Sequence, residues 1–120
     1  MTLSVADLAL RCHPPGPRLQ LDYALDFWAR LRGLHGYPTL SAHRGLWIFP
    51  CNAVHTFRLG YAIDLVFLGA DYRLLKRVER LRPNRIAVHT AARSVVELPA
   101  GYCASNPCFL LAIHEALDGF

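Results

Sequence analysis

The chain has 120 residues, of which 53% are hydrophobic and 18% charged, and its net charge is +4. That is long enough for one domain with one core and too apolar for a disordered tail. Its longest apolar run, around Ile63 to Ala70, is interrupted by Asp64 and falls far short of the ~20 residues of a membrane-spanning helix.

Met1 to Cys12 has no basic leader region, Asp7 breaks its apolar run, and Arg11 before Cys12 does not suit a lipoprotein cleavage site. The expectation is therefore cytoplasmic, with Cys12, Cys51, Cys103 and Cys108 as four reduced thiols. Three prolines and a glycine in His13 to Pro17 forbid helix or central strand, so residues 1–17 read as a loosely attached arm.

From Asp22 to Arg32 the pattern is helical. Leu21, Ala24, Leu25, Trp28 and Leu31 fall on one face, with Asp22 as N-cap and Gly33 as the stop. Gly45 to Pro50 is a short apolar run bounded by Gly and Pro, which marks a buried strand. Further strands are expected at Ile63 to Leu68, Ile86 to His89 and Arg93 to Leu98. Between them, Leu74, Leu75, Val78 and Leu81 recur at helical spacing, opposite Arg73, Lys76, Arg77 and Arg80. In the tail, Asn106 as cap, Pro107 at the first position and the stripe Phe109, Leu110, Ile113 and Leu117 predict a helix over Pro107 to Leu117.

Several local patterns occur in an order that resembles the domain of unknown function 192 family, also called uncharacterised protein family 0127. They are Arg32-Gly33-Leu34, Gly45-Leu46-Trp47-Ile48, Pro50-Cys51, His55-Thr56-Phe57, Ile63 to Leu68 and Val96 to Gly101. The likeness runs from about Phe27 to Gly101. It implies an α+β domain whose curled, mostly antiparallel sheet forms a partial barrel, with an N-terminal and a C-terminal helix. It implies a strand over Tyr72 to Leu81, against the periodicity. No reaction is assigned to the family, and some relatives are encoded near pilus and secretion machinery, which hints at an envelope role. Three departures stand out: Leu59 in place of a usual methionine, Gly69 in place of aspartate, and a helix after Gly101 where the family often has a Gly-Asp turn and a last strand.

Four constellations carry chemistry. Cys51 and His55, four apart with His35 and His43 nearby, lack the paired spacing of a zinc site, so neither a metal nor a cofactor is expected. The same two residues form the weak candidate for a thiolate and its base, with Asp64 or Glu97 orienting the imidazole. Asp64 and Glu97 lie in apolar strands and need a partner, for which Arg32, Arg58 and Arg93 are available. Arg73 to Arg85 is strongly basic, and twelve of the thirteen cationic side chains are arginine. A charged edge strand is the commoner use of such a stretch, so only weak, non-specific nucleic-acid binding is expected from it.

The resulting reading is a non-catalytic binding or accessory module in which His55, Thr56 and Asp64, with Arg32 and Glu97, frame a site for a small ligand or a protein partner. The apolar surplus places a homodimer or protein complex ahead of a strict monomer. A small hydrolase or thiol enzyme using Cys51 and His55, and an anionic-polymer binder using Arg73 to Arg85, are the alternatives.

Overall fold

The computed structural model describes residues 17–118. The arm expected over residues 1–17 and the thiol expected at Cys12 lie outside these residues, Pro17 apart. In chain order the elements are β1 (Gln20–Ala24), α1 (Phe27–Arg32) with a 3-10 turn at Gly33–Gly36, β2 (Arg44–Ile48), β3 (Ala53–His55), β4 (Ile63–Leu68), β5 (Leu74–Leu81), β6 (Ile86–Val88), β7 (Ser94–Pro99), α2 (Tyr102–Ser105) and α3 (Phe109–Ala116). Among them no helix is long and apolar enough to cross a membrane.

Five strands form a mixed sheet in the order β1-β2-β7-β4-β5, while β3 and β6 form a separate antiparallel ribbon. Every pairing is antiparallel except β1 with β2. That parallel pair needs a long crossover, which α1 and the loop up to His43 supply. The fold is α+β, and the sheet does not close into a barrel.

The helix expected over Asp22 to Arg32 is a correction. Its first half is β1, and α1 begins only at Phe27. Asp26, not Asp22, caps it by accepting from the Ala29 N–H at 2.8 Å. Asp22 instead accepts from Arg44 at 2.9 Å and from the Tyr37 hydroxyl at 2.7 Å. The edge of β2 satisfies its backbone by pairing with Gln20 to Ala24, and that ladder outweighs a local 3.6-residue spacing. Trp28, on the apolar face of the expected helix, is 72% exposed, and Leu31 is exposed beside it. The conflict at Leu74 to Leu81 resolves as a strand, in agreement with the resemblance. The last helix starts at Phe109 with Cys108 at its N-cap position, and Asn106 is instead the C-cap of the short helix Tyr102–Ser105.

The sheet is buried on both faces. On one, Leu46, Ile48, Ile63, Leu65, Phe67 and Val95 pack under the ribbon with Val54 and Ala87. On the other, Trp47, Val66, Leu68, Val96 and Leu98 pack against Tyr102, Phe109, Ile113 and Leu117 of the C-terminal helices. Each such aliphatic or aromatic side chain contributes roughly 1.5–3 kcal/mol on burial. Side chains alternate across a strand. Glu97, between Val96 and Leu98, therefore joins Val95 on the ribbon side, and Asp64 joins Val66 on the helix side. Gly45 on β2 lets the β7 backbone approach, since a Cβ there would lie 2.7 Å from the Glu97 carbonyl.

Candidate functional site

The alternation divides the two carboxylates expected at a common site. Asp64 is fully buried, and its oxygens accept from the N–H groups of Arg80 (2.9 Å), Gly101 (3.0 Å) and Cys103 (2.9 Å). The first holds an irregularity where β5 shifts register on β4, with Arg80 at φ 54°. The other two hold the start of α2. All three donors are backbone groups, and neither Arg32, Arg58 nor Arg93 forms an ion pair with it among the described residues. Asp64 thus clamps three segments of chain.

Thr56 does comparable work elsewhere. Its hydroxyl donates to the Arg82 carbonyl at 2.7 Å and accepts from the Arg85 N–H at 2.9 Å, tying the end of β3 to the β5–β6 turn. The expected grouping of His55, Thr56 and Asp64 is therefore a correction. Asp64 lies on the helix-covered face with its carboxylate taken by backbone, and Thr56 spends its hydroxyl on a turn.

Glu97 stands in another situation. The residue is 4% exposed, no hydrogen bond or ion pair from the described residues reaches its carboxyl, and burial pushes the group up to about 8 from an ordinary 4.5. It lines a cavity of about 180 Å³ together with Arg30, Arg32, His35, Cys51 and His55. Apolar walls come from Leu34, Ile48, Val54, Leu59 and Ile63. Thus Arg32, His55, Glu97 and Cys51 of the sequence-based candidates share one cavity, while Thr56 and Asp64 are not among its lining residues.

Each wall has a local cause. Gly33 stops α1 at φ 51°, and a Cβ there would come 3.5 Å from a Glu97 carboxylate oxygen, so the chain turns directly over that group. Arg30 crosses from α1 to donate to the Pro50 carbonyl at 3.3 Å. His35 contacts the Arg32 carbonyl at 2.9 Å and also the Phe57 carbonyl, joining the 3-10 turn to the loop after β3. The His55 ring stacks on Phe57 with centroids 5.1 Å apart and lies 5.4 Å from the His35 ring. Arg32 has an exposed side chain with no hydrogen-bond or ion-pair partner among the described residues.

The Cys51 thiol donates to the Ala53 carbonyl at 3.2 Å and is pushed up chiefly by burial. A reactive cysteine requires the opposite shift. Burial likewise pushes the Cys103 thiol up to about 12. Among the described residues, no three His, Cys, Asp or Glu side chains are grouped to hold a metal ion. The four-thiol expectation is corrected at one position: Cys108 is disulfide-bonded, and its partner is neither Cys51 nor Cys103, both of which are free.

The basic stretch lies largely on β5, an outer strand of the sheet. Arg77 pairs with Glu79 at 3.0 Å and lies over the Phe109 ring, and Lys76 donates to the Val88 carbonyl at 3.2 Å. These cations cover their own sheet edge.

Sequence signals existed for Glu97, a lone carboxylate in an apolar strand. None marked Arg30, which reaches the cavity from α1, and His35, noted only as a histidine near Cys51 and His55, reaches it from the turn that follows.

The family model for the domain of unknown function 192, described as "Uncharacterized ACR", matches residues 11–107. No curated protein matches the sequence. Among solved structures, a protein of unknown function from Novosphingobium aromaticivorans superposes with a TM-score of 0.66 at 17% identity, covering 72% of this chain and 67% of that one. A protein from Sinorhizobium meliloti described as "a putative transcription regulator" superposes with a TM-score of 0.67 at 19% identity, covering 72% and 73%. At such identities the likeness is one of fold.

Proposed function

The chain belongs to the domain of unknown function 192 family, and from that premise we propose that it is a non-catalytic binding module whose small ligand enters the cavity over Glu97. One observation carries this reading: a carboxyl group buried in the wall of a cavity with no partner among the described residues. Leaving such a group unsatisfied costs roughly 1–3 kcal/mol, and a ligand that hydrogen-bonds it recovers that cost. Arg32 and His55 are the accompanying binding residues. The role of Asp64 and Thr56 is to hold the frame.

A thiol enzyme using Cys51 and His55 has less support, because the thiol is held protonated and donates to a carbonyl. The protein partner or homodimer expected from the apolar surplus is supported by α1, whose Phe27, Trp28 and Leu31 are exposed. The disulfide at Cys108 favours an oxidising compartment over the cytoplasm. It is in line with the envelope role at which the family resemblance hints.

Native mass spectrometry of the purified chain, titrated with small amines, acids, amides, sugars and amino acids, tests the binding reading. A one-to-one adduct with at least one class is expected, and Glu97→Gln should lose it. The absence of any adduct, or adducts indifferent to that substitution, overturns it.

A further inference from the structure

The cavity has a polarity that narrows the ligand. Its lining includes the buried Glu97 carboxyl, with no hydrogen-bond or ion-pair partner among the described residues. Leu34, Ile48, Val54, Leu59 and Ile63 give it aliphatic walls, and Arg30 and Arg32 are among its more accessible lining residues. Arg30 is held by the Asp26 and Pro50 carbonyls, whereas Arg32 is exposed and has no such partner among the described residues. A guanidinium without a partner is suited to a bidentate pair with a carboxylate. The volume, about 180 Å³, lies below the roughly 300–1,000 Å³ of pockets that hold drug-sized molecules. The occupant is accordingly small.

Single charges fit this arrangement poorly. A simple amine leaves Arg32 without an anion, and a simple acid pairs with Arg32 but leaves the Glu97 carboxyl unsatisfied. A small molecule that carries both charges and an aliphatic group meets the carboxyl, the guanidinium and the apolar wall together.

We infer that this cavity binds a small α-amino acid with an aliphatic side chain, its carboxylate against Arg32 and its ammonium group against Glu97, whose carboxyl releases its proton to solvent as the ammonium docks. The inference rests on the binding reading above and adds the ligand's class and orientation. The aliphatic group packs on Leu34, Ile48, Val54, Leu59 and Ile63. The Gly33 turn keeps the carboxyl accessible, because it places no side chain over it.

Three probes separate the two charges: L-valine, 2-methylpropylamine, which lacks the carboxylate, and 3-methylbutanoate, which lacks the ammonium. Titration calorimetry should find valine bound, and each analogue weaker by about tenfold or more, the loss of one charge-assisted contact. In Arg32→Gln, valine and the amine should bind alike. In Glu97→Gln, valine should lose its advantage over the acid, with circular dichroism confirming that both variants fold. Failure of valine to bind, or an analogue that equals it in the unsubstituted protein, overturns the inference. If another class from the wider panel binds in a Glu97-dependent way while valine does not, this inference falls and the pocket reading stands.

Discussion

Glu97 offers a test of the site that needs no ligand. Burial raises its carboxyl from an ordinary 4.5 to about 8. Between those values the native state holds a proton that the unfolded chain has lost. The unfolding free energy therefore falls as pH rises across that interval and levels off above about 8. At about 1.4 kcal/mol per pH unit, the cost reaches about 3 kcal/mol at pH 7 and about 5 kcal/mol on the alkaline plateau. Glu97→Gln keeps the shape and removes the titration. The variant should match the parent chain near pH 4 and exceed it by about 3 kcal/mol at pH 7, since the other titrating groups cancel in the difference. Urea unfolding at pH 4, 6, 7 and 8.5, followed by tryptophan fluorescence, measures this directly. A difference that does not change with pH would mean that the native carboxyl titrates normally. A variant that loses stability as pH rises would mean that Glu97 is ionised and paired. Either result refutes the reasoning.

Asp64→Asn replaces an acceptor of three backbone N–H groups by a side chain that must turn a donor toward at least one of them, so a loss of about 2–4 kcal/mol is expected in denaturant unfolding. Trp28→Ala should change stability by less than about 1 kcal/mol, given 72% exposure. A larger loss in an equilibrium melt would return the residue to the core. Gly45→Ala should destabilise by about 2 kcal/mol or more, because the new methyl would lie 2.7 Å from the Glu97 carbonyl and the β2–β7 ladder has to shift. Thiol titration and peptide mapping of the unfolded, unreduced chain should find Cys51 and Cys103 free and Cys108 blocked. Four free thiols would restore the reduced-cysteine expectation.

Much of the sheet was legible in the sequence. Ile63 to Leu68 and Arg93 to Leu98 read as buried strands because they are short, apolar and β-branched. Alternation alone placed Asp64 opposite Ile63, Leu65 and Phe67. The tail helix was legible from its stripe, to within two residues at its start. Leu74 to Leu81 was not legible from spacing, since an outer strand with its cations in solvent imitates an amphipathic helix. Gln20 to Ala24 was misread because its strand character comes from the β2 edge that it pairs with, a partner twenty-four residues away in register. The carboxylates mark the same boundary. The sequence by itself determined that Asp64 and Glu97 sit in apolar strands and must be satisfied. Only the tertiary structure decided that three distant N–H groups converge on Asp64, while the turn at Gly33 leaves Glu97 facing a cavity. Periodicity reports which face a side chain takes, but the groups that meet it there are brought by segments far along the chain.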